Sequence, residues 1–262
     1  MRIDIEKAAE LPFQSCLIFG ASRSGKTHFC ATYPQVAMLC SRRERGYVTV
    51  EHMEHSQWYD PKVAPQVYVV DDIATMMGHL YKDIIPQIQA NKLKTVCVEL
   101  TFHADDAMRA MDIDEKNGWA KYANIETHIH NVDTLIKKIP GARVVYNTLA
   151  LPEDSAKGTS GVLIPGKALA KKIPALCDLS GYMQQEDVGD HVDRVLHLAA
   201  FGNYSPGHRY GKKLPALVRN PTYRDLEDLL HGRATVNDDG TVVREANKLI
   251  SLPAGLPPLG KK

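Results

Sequence analysis

Gly20-Ala21-Ser22-Arg23-Ser24-Gly25-Lys26-Thr27 fits G-x-x-x-x-G-K-[ST] and directly follows the apolar run Cys16-Leu17-Ile18-Phe19. It reads as a phosphate-binding loop. Gly20 and Gly25 let the backbone turn tightly, so that successive N–H groups can surround an anion. Lys26 can then reach between the β- and γ-phosphates of a nucleoside triphosphate, and the Thr27 hydroxyl can ligate the Mg²⁺ that bridges them. A helix starting near Gly25 and carrying His28, Phe29, Cys30 and Tyr33 turns its positive dipole end to the same place and is stopped by Pro34. The candidate nucleotide-binding set is therefore Gly20, Ala21, Ser22, Arg23, Ser24, Gly25, Lys26, Thr27 and His28.

The rest of the composition suits that reading. The chain has 262 residues, 44% hydrophobic and 24% charged, as expected of a soluble α/β domain with a full core. Lys plus Arg at 32 against Asp plus Glu at 31 leave a net charge of +1, so any basic surface for nucleic acid must be local. Cys16, Cys30, Cys40, Cys97 and Cys177 show no C-x-x-C spacing and lie mostly in apolar runs, which predicts reduced core residues of a cytoplasmic protein. Asp4, Glu6 and Glu10 leave no apolar signal peptide at the N-terminus, and no run approaches a membrane span.

Outward from the loop, strands are predicted at 15–19, 36–40, 67–70, 96–99 and 143–146, with 178–183 and 194–198 as further strands extending the sheet and helices over 73–81, 125–136, 168–176 and 226–230. The strand 36–40 ends in Ser41-Arg42-Arg43-Glu44-Arg45-Gly46. In open parallel sheets ligands bind beyond the carboxyl ends of the strands, which makes Glu44 the candidate for polarising an attacking water, although solvated loops carry the same mixture of charges. Two segments compete to supply the metal-side carboxylate. Asp71 and Asp72 precede a helix, where an aspartate also serves as N-cap; Glu99, ending Val96-Cys97-Val98, has no such alternative and is preferred. Asn147 and Thr148 follow Tyr146 as polar groups at a strand end.

Three further stretches are polar or basic. Residues 102–122 carry Asp105, Asp106, Asp112, Asp114 and Glu115 and read as an insertion, and 151–167 as a Gly- and Pro-containing loop. The turn Tyr204 to Lys213 holds His208, Arg209, Lys212 and Lys213 among aromatic residues. The helix at 226–230 is expected to be capped by Asn220-Pro221 and closed by Gly232, and Asp239-Gly240 to form a small hairpin. Divisions at 1–14, 15–232 and 233–262 separate a polar lead-in, the nucleotide-binding core and a hairpin with a Pro- and Gly-rich tail. The spacings of His52 with His55 and of His128 with His130 offer no zinc site, so no metal beyond Mg²⁺ is assigned.

The order of these features resembles the short RecA-like P-loop ATPases of phages, the group that includes Sak-type single-strand annealing proteins. The resemblance runs over 13–231 and rests on Gly20 to Thr27, the Cys40 to Gly46 turn, Thr95 to Thr101, Gly118 to Tyr122, Arg143 to Thr148, Gly166-Lys167 and Asn220 to Leu230. It implies an α/β, RecA-like P-loop NTPase core with a mostly parallel central sheet flanked by helices. It further implies ATP and Mg²⁺ as cofactors, single-stranded DNA as partner, location in a phage-infected host cell and assembly into a homo-oligomeric ring or filament with nucleotide at subunit boundaries. Where such proteins usually place Asp and then Ser, this chain has Glu99 and Leu100, so the carboxylate reaches one methylene further and the hydroxyl is missing.

On this reading Lys26 holds the phosphates, Thr27 and Glu99 the metal, and Glu44 the water, in recombination, replication or repair. Arg209, Lys212 and Lys213 are the candidates for contact with a neighbour's nucleotide, and the loops 102–118 and 151–167 for tracking DNA. Two other readings stay open. A small-molecule or nucleoside kinase needs a lid rich in arginine, and 151–167 has none. A nucleotide-gated scaffold with little hydrolysis is compatible with the Glu99 substitution.

Overall fold

A computed structural model describes residues 13–55, 64–101, 118–154, 159–164 and 167–244. The lead-in 1–12, the segment 56–63, the acidic stretch 102–117, the segments 155–158 and 165–166, and the tail beyond residue 244 lie outside the described residues. The first half runs β1 (Ser15–Gly20), α1 (Lys26–Ala31), β2 (Val36–Ser41), α2 (Gly46–Glu51), β3 (Gln66–Val70), α3 (Ile73–His79), α4 (Ile85–Gln89) and β4 (Thr95–Glu99). It continues through α5 (Gly118–Lys137), β5 (Arg143–Asp154), β6 (Thr159–Val162), α6 (Lys167–Leu176), β7 (Leu179–Val188) and β8 (His191–His197). The chain then forms β9 (Gly207–His208), β10 (Leu217–Arg219), α7 (Tyr223–Leu230), β11 (Thr235–Val236) and β12 (Val242–Val243).

The result is an α/β fold with a mostly parallel sheet flanked by helices. The main path orders the strands β10-β8-β7-β1-β5-β4-β2-β3, and every pair from β7 to β3 is parallel. Strands β8 and β10 extend the β7 edge in antiparallel register. Strands β1, β2 and β4 are buried along their whole length, which is why they read as nearly unbroken apolar runs rather than alternating ones.

Two cores lie on the two faces. On one, Phe29, Cys30 and Tyr33 from the α1 region join Leu226 and Leu229 of α7 over Cys16, Ile18, Met38, Cys97 and Val145. On the other, Met76, Leu80, Ile84, Ile129, Val132, Ile136 and Ile173 cover Leu17, Phe19, Leu39, Val96, Val98 and Val144. Burying side chains of this size stabilises the fold by about 1.5–3 kcal/mol each. The five cysteines are buried and unbridged, so they serve as core residues.

Three of the departures from the sequence expectation have a visible cause. Strand β5 does not stop at Tyr146 but runs on to Asp154, and its outer half pairs with β6. The helix at 73 continues through a π-turn at Leu80–Ile84 into α4, whose first turn contains Pro86. Proline cannot donate a backbone hydrogen bond and its ring clashes with the preceding turn, and one wide turn absorbs both effects. The cap of α7 is Thr222, not Asn220-Pro221: its side chain accepts from the Asp225 N–H, and the Asp225 carboxylate accepts from the Thr222 N–H, a reciprocal capping box. Among the described residues no helix is long and apolar enough to cross a membrane.

Candidate functional site

Helices α1 and α2 leave the carboxyl ends of β1 and β2 on one face of the sheet. The helices that follow β4 and β5 in sequence, α5 and α6, pack on the other. Where neighbouring strands send their connections to opposite faces, a crevice opens at their carboxyl ends. The loop 20–25 stands over that crevice. It borders a cavity of about 620 Å³ whose lining includes Arg23, Lys26, His28, Glu44, Arg45 and Arg194. Four guanidinium or ammonium groups against one carboxylate suit a polyanion.

The backbone explains both loop glycines. A Cβ on Gly20 would fall 2.1 Å from the Met183 carbonyl oxygen of β7. Gly25, at φ 94°, occupies the left-handed region as it caps α1, and the Gly25 carbonyl accepts the first helical bond from the Phe29 N–H at 3.0 Å. Ala21, Ser22 and Arg23 form the exposed apex, with Arg23 also left-handed at φ 64°. Ser24 is buried beneath them, its N–H donating to the Ala21 carbonyl at 3.3 Å.

Lys26 is folded back under this loop. Its Nζ donates to the carbonyls of Ala21 at 2.6 Å and Gly20 at 3.2 Å. Only 5% of the residue is exposed. Burial pushes its pKa down, against the upward pull of Glu44 and Glu99. The ammonium therefore sits where a phosphate oxygen can replace a carbonyl contact.

The alternation of β4 and β5 aims Glu99 and Asn147 at the face that carries α1, one beside the other in register. Asn147 Nδ2 donates to Thr27 Oγ1 at 3.2 Å. Glu99 Oε2 accepts the Ser41 N–H at 2.7 Å, while Glu99 Oε1 is buried without a hydrogen-bond partner. Burial, and then the Glu44 carboxylate, push Glu99 up to about 8. Glu44, half-buried, is likewise pushed up by burial and pulled down by Lys26.

An orphaned carboxylate oxygen beside a hydroxyl is the donor set that a phosphate-bound Mg²⁺ lacks on its protein side. Thr27 and Glu99 thus fit that ion. Among the described residues no three His, Cys, Asp or Glu side chains converge as a self-sufficient metal site, so phosphate oxygens would have to supply the remaining ligands.

The competing acidic pair lies elsewhere. Asp71 forms an exposed ion pair with Arg42 beyond edge strand β3, and Asp72 caps α3 by accepting the Thr75 N–H at 2.7 Å. Thr148 points away from Asn147, its hydroxyl 2.6 Å from that of Thr101. The basic turn sits at the far end of the sheet: β9 pairs with Leu179 and Ser180 at the start of β7, and the Tyr210 hydroxyl accepts the Phe13 N–H at 2.7 Å. Arg209, Lys212 and Lys213 therefore do not approach this chain's own loop.

Arg194 is the site residue that the motif does not announce. Strand β8 carries it against Gly25, where a Cβ would fall 2.3 Å from Arg194 Cδ. One signal was present in the sequence: alternation through Arg194, Leu196 and Leu198 puts an arginine on the buried face of a strand.

The described residues thus define an α/β protein with a mostly parallel sheet and a cation-lined cavity at its carboxyl edge. No protein-family model matches the chain, and no curated protein matches it either.

Proposed function

We propose that this chain is a RecA-like P-loop protein that binds ATP with Mg²⁺ in the cavity at the loop 20–27 and hydrolyses it while acting on single-stranded DNA. The observation that carries the nucleotide reading is the conjunction of Lys26, held by the loop carbonyls, with Glu99, whose unpartnered oxygen lies with the Thr27 hydroxyl against Gly46. When bound, Mg²⁺ would supply charge neutralisation between the β- and γ-phosphates. Lys26 would bind those phosphates, Thr27 and Glu99 would hold the ion, and Asn147 would fix the Thr27 hydroxyl.

Glu44 lines the cavity close enough to Lys26 for each to shift the other's ionisation. A half-buried carboxylate there can orient a water and accept its proton, which is most of what phosphoryl transfer to water asks of a protein. The DNA partner, oligomeric assembly and recombination role rest on the resemblance. Arg209, Lys212 and Lys213 lie at the opposite end of the sheet from this chain's own loop, with Arg209 held by Asp178 and the Ala175 carbonyl, so their role toward a neighbour or a strand also rests on the resemblance.

Calorimetric titration of ATP-Mg²⁺ tests the binding, with Lys26→Ala as the control expected to abolish it. Equal affinity of the variant would remove the nucleotide reading. ATP turnover measured with and without single-stranded DNA tests the rest. Stimulation supports the DNA-acting ATPase, whereas tight binding with no turnover in either condition would leave a nucleotide-gated scaffold instead.

A further inference from the structure

Arg194 reaches the cavity from the opposite side to Thr27. Counting outward from β1, Asn147 and Glu99 come from β5 and β4, whereas Arg194 comes across β7 from β8. Its stem lies on Gly25, and a Cβ there would fall 2.6 Å from Arg194 Nε as well as 2.3 Å from Cδ. His28 stands beside it, close enough to feel its charge.

The backbone holds this position firmly. The Arg194 N–H donates to Asn220 Oδ1 at 2.9 Å, and the Asn220 N–H donates to the Arg194 carbonyl at 2.6 Å. The head group is not so provided for. Arg194 Nε is buried without a hydrogen-bond partner, and no carboxylate pairs with the guanidinium among the described residues. The neighbouring Arg219, in contrast, is fully engaged with Asp193 at 2.9 Å and Glu186 at 3.0 Å. A buried guanidinium donor left unpaired is costly, and Arg194 lines the loop cavity together with Gly25 and His28, so an anion in that cavity would meet its guanidinium.

In a phosphate-binding loop the backbone cradles the α- and β-phosphates, the lysine reaches the β- and γ-phosphates, and the Ser/Thr hydroxyl serves the metal. Arg194 meets Gly25 and His28 from β8, on the side of β1 opposite to β4, the strand that carries Glu99. We propose that Arg194 is a nucleotide-binding residue acting in cis, its guanidinium neutralising the α- and β-phosphates of a bound nucleoside di- or triphosphate. The inference rests on the nucleotide reading given above and adds to it a ligand that no loop motif supplies. The cation comes from the same chain as the loop, so this particular contact needs no neighbouring subunit.

The test is the affinity of the full chain for ATP and for ADP, with Mg²⁺, in wild type, Arg194→Met and Arg194→Lys. Methionine keeps an apolar stem on Gly25 and removes the charge. Loss of one charge-assisted contact should weaken ATP and ADP by the same factor, about tenfold or more, and lysine should recover most of it. Weakening of ATP alone would place Arg194 at the γ-phosphate and overturn the assignment. Unchanged affinity for both, with Lys26→Ala still abolishing binding, would overturn the role of Arg194 and leave the nucleotide site standing. Wild-type protein that binds neither nucleotide would overturn both. Thermal unfolding of each variant separates loss of fold from loss of contact.

Discussion

Gly46 stands directly against Glu99: a Cβ on residue 46 would fall 2.2 Å from Glu99 Oε1 and 3.5 Å from Thr27 Oγ1. The first turn of α2 and the end of β4 therefore meet at the spot assigned to the metal. Alanine at 46 must push the carboxylate off the Ser41 N–H that holds its other oxygen. Gly46→Ala should cost about 1–3 kcal/mol of stability, because that buried carboxylate loses its donor, and should weaken Mg²⁺-dependent nucleotide binding. Urea denaturation with and without ATP-Mg²⁺ checks both. Wild-type midpoints in both conditions would mean that residue 46 does not hold Glu99 in place.

Glu99 and Asp71 make a second comparison, since the sequence offers both as the metal-side carboxylate. Glu99 is buried beside Thr27, while Asp71 is exposed and engaged with Arg42. Glu99→Gln should lower ATP turnover at least tenfold, whereas Asp71→Asn should leave both turnover and stability near wild type, because water screens the exposed pair. Glu44→Gln completes the set, with ATP affinity kept and turnover slowed. A turnover loss in Asp71→Asn matching that of Glu99→Gln would reverse the assignment.

What was legible in the sequence is what local physics controls. Apolar runs such as Val36 to Cys40 could only be buried strands, and the loop Gly20 to Thr27 carries its geometry in its glycines. The preference for Glu99 over Asp71 rested on capping, but the cap is Asp72, which accepts the Thr75 N–H, while Asp71 is taken up by Arg42. What escaped was set by distant partners. Strand β5 runs past Tyr146 because β6, beyond a chain reversal, supplies its outer edge, and nothing near Asn147 encodes that. Arg194 escaped for the same reason: 169 positions separate it from Gly25, and only the sheet order brings β8 to the loop. The Thr222 cap, with Asp225 three residues on, was legible and was obscured by Asn220-Pro221.

Two glycines predict opposite responses to the same substitution. At Gly20 the obstacle is backbone, the Met183 carbonyl at 2.1 Å, so β1 and β7 would have to separate. Gly20→Ala should cost about 3 kcal/mol or more. Gly78 lies within α3 with nothing inside 4 Å of its added Cβ, and there alanine should stabilise by about 0.5–1 kcal/mol through helix propensity. Thermal unfolding of the two variants gives the comparison. Stabilisation by Gly20→Ala would mean that the loop strand does not pack against β7 as described.

His28 ties pH to the same cavity. Burial, and then the Arg194 charge, push it from an ordinary 6.5 down to about 4. Between those values the unfolded chain binds a proton that the folded chain refuses, so His28 weakens the fold as pH falls from 6.5 toward 4 and contributes no such loss above 6.5. The slope cannot exceed about 1.4 kcal/mol per pH unit from this group, and about 2 kcal/mol across the window is the expected size. His28→Gln should lose less stability than wild type between pH 7 and pH 5 in urea denaturation; equal losses would mean that His28 is not held neutral. Arg194→Met should raise the His28 pKa in an imidazole NMR titration, because the like charge is gone. ATP should raise it further in wild type, since phosphate oxygens beside the ring favour the imidazolium, and a His28 resonance indifferent to both changes would place the phosphates away from Gly25 and His28.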